Sequence, residues 1–225
     1  EPKNEEGSGG YWQLRTIRRS ADGAWSDAED ALAAFPAWGK PTDNEDAIAD
    51  WVRVVVDSKG GTHLVWHGTA ISRKFGHDQS YYSYRPVGGA WREPLPLIPR
   101  DDATGIKYSF APSVAVDGET VIATVFYDVY DGDRWGGFDS DLVVLRGGAK
   151  VGAPHPLTHF VRESIASKTP AAAYSARFPG TAPSVHKAAD GSMWIDAIET
   201  FILMGIENAA RPIVYHRVDA SALFR

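Results

Sequence analysis

Apolar and polar positions alternate along most of this chain. Residues 51–57 (WVRVVVD) form a β-branched run, 58–61 a small polar turn, and 62–68 (THLVWHG) a second run in which the two kinds of residue trade places. Successive strand side chains point to opposite faces, so the pattern predicts a hairpin whose two faces meet different surroundings. Residues 80–85 (SYYSYR), a Gly88-Gly89 turn and a short strand from Trp91 extend it to four strands.

The unit recurs. Residues 111–117 (APSVAVD), 120–128 (TVIATVFYD) and 140–146 (SDLVVLR), then Gly147-Gly148 and a last short strand, make a second copy. A third runs through 182–187 (APSVHK), the Asp190-Gly191 turn, 193–201 (MWIDAIETF) and 212–218 (PIVYHRV). Ahead of the first copy, 11–19 (YWQLRTIRR), the turn at Ala21-Asp22-Gly23 and a strand at Trp25 read as the two outer strands of a preceding unit. Four antiparallel strands make one propeller blade, so the predicted fold is all-β: a β-propeller with about three full blades and the outer half of another, incomplete as a ring. The predicted divisions are a flexible segment at 1–10, a partial blade at 11–40, and blades at 48–100, 108–158 and 180–225. From Pro112 to Pro183 is 71 residues and from Trp25 to Trp91 is 66. Compact propeller repeats need only ~40–50, so the surplus must lie in long loops. Helical spacing is confined to 28–34 and 162–167. An open array leaves an unpaired edge and an uncovered face, so another chain, or the missing part of the same polypeptide, is expected to complete it.

Ser20-Ala21-Asp22-Gly23-Ala24-Trp25 is similar to the Asp box of sialidases and related propellers, and the Pro-Ser-Val openings at 112–114 and 183–185 resemble the same superfamily. The resemblance implies the propeller fold and structural roles for Ser20, Asp22, Gly23 and Trp25. By turn chemistry alone, Asp22 is expected to bond turn amides, Gly23 to take a positive φ and Trp25 to bury its ring between blades.

Composition narrows the function. With 225 residues, 44% apolar, the chain can fill a substantial core, while a net charge of −6 argues against nucleic acid, whose phosphates need a basic face. No apolar run is long enough to span a membrane, and no signal-like segment opens the chain. With no cysteine there is neither disulfide nor thiolate chemistry. The expected location is extracytoplasmic, periplasmic or secreted.

In such a fold the loops between second and third strands and the blade crossovers share one rim, the usual binding face. There fall His67, Arg73, His77, Arg134, Trp135 and Arg162. Arginine pairs with carboxylates and Trp stacks on sugar faces, so Arg73, His77, Arg134, Trp135 and Arg162 are candidate contacts to a glycan or protein ligand. Asp128, Asp131 and Asp133 offer oxygens around Gly132 at spacings that calcium uses. His63 and His67, four apart on one strand, share a side; they are read as interior residues or as an acid and base. Arg177-Phe178-Pro179 resembles the Arg-Ile-Pro that opens a sialidase's first blade and places a substrate-carboxylate arginine; with Arg177, the rim residues His67, Tyr174 and Glu199 are the catalytic candidates of an enzyme reading. The leading reading is a binding scaffold. The alternatives are part of a glycan-active enzyme, a sialidase-like glycoside hydrolase or a polysaccharide lyase, and a structural subunit docked in a larger complex.

Overall fold

The computed structural model describes residues 14–32, 34–35, 48–69, 79–158, 161–163, 175–179, 183–202 and 213–223. A short hairpin comes first, β1 (Arg15–Thr16) against β2 (Glu29–Asp30). Next is an antiparallel meander in the order β3 (Ile48–Val56), β4 (Thr62–Thr69), β5 (Gln79–Arg85), β6 (Leu95–Pro96). The second meander is β7 (Ile106–Asp117), β8 (Thr120–Asp131) and β9 (Arg134–Arg146); β10 (Ala149–Lys150) and β11 (His155–Thr158) share its outer position, both pairing with β9. In the third sheet β12 (Ser175–Pro179) and β13 (Ser184–Lys187) pair with opposite ends of β14 (Met193–Ile202). β15 (Ile213–Asp219) pairs along β14 from Trp194 to Thr200 and so takes the other edge. The architecture is all-β and of propeller type: antiparallel blades follow one another in chain order and stack face to face, and the array is incomplete as a ring among the described residues.

The period-two alternation builds the stack. Val65 and Tyr82 face the second sheet and join Val121, Val125, Tyr127, Val143 and Leu145 in one core. Their neighbours Leu64, Trp66 and Tyr81 turn the other way, onto Leu14, Ala31 and Leu32 of the N-terminal hairpin, with Trp91 beside them. Ile122 and Leu142 of the second sheet meet Met193, Ile195 and Ala220 of the third. Each large side chain buried this way contributes roughly 1.5–3 kcal/mol, which outweighs the ~1 kcal/mol a strand substitution typically moves through intrinsic preference. A single-residue slip would turn both sets of side chains to the wrong face, so the cores fix the register.

The tight turns other than the one at Gly132-Asp133 gather at one end. Ser58 N donates to Gly118 O at 2.8 Å, tying the first and second sheets there. The turns at 20–24 and 188–192 are built alike: Ser20 N and Ala188 N donate across to Ala24 O and Ser192 O, and the Asp22 and Asp190 carboxylates accept the amides of Ala24 and Ser192. Ser20 Oγ donates to Asp22, and Gly23 has φ 92°, as the turn chemistry requires. Trp25 corrects the expectation. It is 63% exposed with Arg19 over its ring, because the hairpin turns its other face, through Leu14 and Ala31, to the first sheet. Trp91, at the corresponding place in the first blade, is the one that is buried.

Three further expectations change. Residues 127–141, expected as a long loop, are paired strand: β8 and β9 continue to an Asp131–Arg134 pair closed by Gly132-Asp133. A tight two-residue turn keeps both strands paired to the tip, where Phe138 of β9 packs on Trp135 of the same strand and on Phe110 of β7, rings that a loop would leave solvated. Glu29–Asp30, within the stretch with helical spacing, is strand, held by the Leu14 carbonyl that accepts from Ala31 N at 2.8 Å. The fourth strand of the first blade is Leu95–Pro96, later than Trp91.

Candidate functional site

Opposite the tight turns lies the rim, where β4 ends, β5 begins, the 97–106 crossover passes and the β8–β9 turn projects. The inner strand β7 brings its rim end beside β4 and β8. There Phe110 meets the edge of His67 (centroids 6.2 Å, 90°) and the edge of Phe138 (5.0 Å, 85°), and Phe138 in turn meets Trp135 (5.1 Å, 69°). Edge-to-face contact at these separations holds the rings in fixed relative orientation. His67, Phe110, Trp135 and Phe138 are all partly accessible, and Arg134 at the turn is exposed. The result is a half-open aromatic row across two blades, with a cation at its tip.

Beside the row, the crossover is fastened to β8. Asp128 is buried and accepts Tyr108 N at 2.7 Å; burial pushes its carboxyl up to about 6 even though the amides of Tyr108 and Lys107 and the Tyr130 hydroxyl favour the ionised form. Tyr130 N donates to Gly105 O at 2.9 Å, and a Cβ on Gly105 would come within 2.1 Å of the Tyr130 carbonyl oxygen, so only glycine permits this approach. Lys107 lies over the Tyr130 ring at 4.2 Å and reaches Asp133 at 3.7 Å. Asp128 thus spends its oxygens on the crossover. Among the described residues no cluster of three His, Asp or Glu side chains is placed to hold a metal ion, so Asp128, Asp131 and Asp133 are not brought together as the calcium spacing predicted. The reason lies in the pairing: Asp128 points inward while Asp131 and Asp133 flank an exposed turn.

Arg162 follows β11 on the short helical turn at 161–163. Its guanidinium stacks over Tyr127 at 4.7 Å and sits 3.7 Å from Asp139 and 3.5 Å from Asp141. Asp139 also accepts the amides of Val161 and Arg162, and Tyr127 donates to Asp141 at 3.0 Å. A cation with two buried carboxylates and a ring around it is anchored to the fold, and desolvation holds its pKa below the ordinary arginine value.

The two histidines separate into different roles. His63 is fully buried: Nε2 lies 3.0 Å from Asp57 Oδ2 and Nδ1 2.8 Å from the Tyr82 hydroxyl, with Tyr84 tilted against the ring at 4.7 Å. A carboxylate only accepts, so Nε2 carries the proton and Nδ1 accepts from Tyr82. Burial drives the His63 pKa down, with Asp57 opposing. Burial pushes Asp57 up, but the His63 bond and the Gly61 and Lys59 amides outweigh it and hold the carboxylate ionised. This network lies at the tight-turn end, away from the rim, and braces the β3–β4 turn. His67, on the same side of β4, is the rim residue.

Of the other candidates, Arg73, His77 and Tyr174 lie outside the described residues. Arg177 and Glu199 stand on paired strands of the third sheet, where Pro179 is opposite Glu199, in the rim-side halves of those strands. His67 stands on the first sheet. Phe110, Phe138, Lys107 and Tyr130 complete the rim and were not singled out from the sequence as ligand contacts; the signal was the aromatic recurrence on both strands of the supposed loop.

No protein-family model matches the chain, and no curated protein does. Solved structures similar to it include an exo-1,5-α-L-arabinanase from a bovine ruminal metagenomic library (15% identity, TM-score 0.41, 88% of this chain and 60% of that one). Others are Trypanosoma rangeli sialidase (11%, TM-score 0.41, 92% and 36%) and a thermostable family-43 glycoside hydrolase (11%, TM-score 0.36, 88% and 69%). The chain thus spans 60% and 36% of the first two.

Proposed function

We propose that this chain is a binding propeller segment that works outside the cytoplasm and takes a glycan along its rim. The observation that carries this is the fixed aromatic row, Trp135 against Phe138 against Phe110, with exposed Arg134 at its tip. Pyranose and furanose rings present C–H faces that stack on aromatic side chains, while an exposed guanidinium pairs with the carboxylates of acidic sugars. An acidic polysaccharide satisfies both features at once. Among the described residues no buried carboxylate is paired with Arg134, in contrast to Arg162, which lies against Asp139 and Asp141.

Affinity electrophoresis in gels containing polygalacturonate, arabinan or xylan tests this. The chain is expected to be retarded most by polygalacturonate, with Trp135→Ala and Arg134→Ala each weakening retardation about tenfold, or ~1.4 kcal/mol. Equal mobility in all gels, or retardation indifferent to Trp135, overturns the reading. Release of reducing ends from the same polymers, lost in His67→Ala or Arg177→Ala, would establish the enzyme instead.

A further inference from the structure

The first sheet is covered unevenly on the face it turns toward the N-terminal hairpin. On the outer half Leu64, Trp66 and Tyr81 are at most 3% exposed beneath Leu14, Ala31 and Leu32. Val54 stands directly opposite Leu64 and Val56 opposite Thr62 across the β3–β4 ladder, so both lie on that same face, and Val52, two residues before Val54, extends the stripe to the bulge between Asp50 and Arg53. Val52, Val54 and Val56 are 37%, 58% and 56% exposed. The intervening Val55 packs into the core between the first and second sheets, which confirms the direction of the stripe. Among the described residues, one continuous apolar surface is therefore covered over its outer half and bare over its inner half. The boundary falls where β1 ends its cover, and among the described residues β1 pairs only with β2.

We infer that the bare stripe is the seat of a further antiparallel strand pair of the same polypeptide, contributed by residues outside 1–225. That pair would lie beside β1 and turn an alternating row of apolar side chains onto Val52, Val54 and Val56, making β1 and β2 the outer strands of a four-stranded blade. Three features select this occupant. The stripe has the two-residue period of a strand face. It is continuous with an interface already formed by strands of that same layer. Its exposed side chains are large and apolar, as a blade-to-blade contact requires and a solvated edge does not. The inference stands apart from the glycan reading, since it concerns the opposite side of the first sheet from the second-sheet contact.

The chain has no cysteine, so Val54→Cys gives a single reporter thiol. Maleimide labelling is followed by mass spectrometry in this chain alone and in the product of the complete reading frame that encodes it. Val87→Cys, at a position 70% exposed on the β5–β6 turn, serves as the accessible control. Val54→Cys should react as fast as the control in the chain alone and at least tenfold more slowly in the complete product. Equal reactivity in both, or a reading frame that encodes nothing beyond these residues, overturns the inference. So does protection in the chain alone with the mass of a dimer, which would make a second copy the occupant. A Val54→Cys variant that fails to fold is replaced by Val56→Cys, read in the same way.

Discussion

Removing a single oxygen tests whether the buried histidine is structural. In Tyr82→Phe the ring that fills the core between the first and second sheets remains, while the hydroxyl 2.8 Å from His63 Nδ1 is lost. His63 and Tyr82 are both 0% exposed, so no water replaces the lost donor and Nδ1 keeps an unmet acceptor. Stranding one buried polar group costs about 1–3 kcal/mol. For a chain of this size each kcal/mol lowers Tm by about 2–4 °C, so the variant should melt about 2–12 °C below the parent in a circular-dichroism scan at pH 7.5. The pH dependence adds a second check. Because burial lowers the folded-state pKa of His63 below the usual ~6.5, its contribution is present above pH ~6.5 and is lost as pH falls, the unfolded chain binding the proton more readily. His63→Leu should flatten that part of the acid slope. An unchanged Tm in Tyr82→Phe, within about 1 °C, would refute the bracing role, and loss of a sugar-cleaving activity with no loss of stability would turn the His63–Asp57 pair into a catalytic one.

Asp128 should behave with the opposite sign. Its folded-state carboxyl titrates at about 6 against the usual 3.8, so acidification from pH 7 toward 4 relieves a cost of about 2 kcal/mol, and Asp128→Asn should remove that pH-dependent gain in urea titrations. Gly105→Ala should lower Tm sharply, since the new Cβ meets the Tyr130 carbonyl oxygen at 2.1 Å; Gly118→Ala, also at positive φ but facing open space, should cost only about 1 kcal/mol. Calcium addition should leave the melting curve unchanged, because Asp128 is committed to the crossover amides; a calcium-dependent rise abolished in Asp131→Asn would contradict that assignment.

The alternation of apolar and polar residues determined the strands and their order. THLVWHG and SYYSYR could satisfy both of their faces only as sandwiched strands, and the hairpin turns followed from local Asp-Gly and Gly-Gly chemistry. The sequence could not say how far strands run when their outer parts are aromatic and charged together. Residues 127–141 looked like a loop because their aspartates dominate the composition, yet the β8–β9 pairing runs to its tip, where Phe138 packs on Phe110 and Trp135 and Lys107 lies over Tyr130. Nor could it distinguish His63 from His67. Both sit on one side of β4, and only the depth at which neighbouring sheets close over that side made the first a buried brace and the second a rim residue. Trp25 and Trp91 divide for the same reason: each follows a glycine-bearing turn, but a ring is buried only where another layer lies against it. Periodicity is encoded residue by residue, whereas burial depends on which surfaces meet, and that is settled only once the blades have stacked.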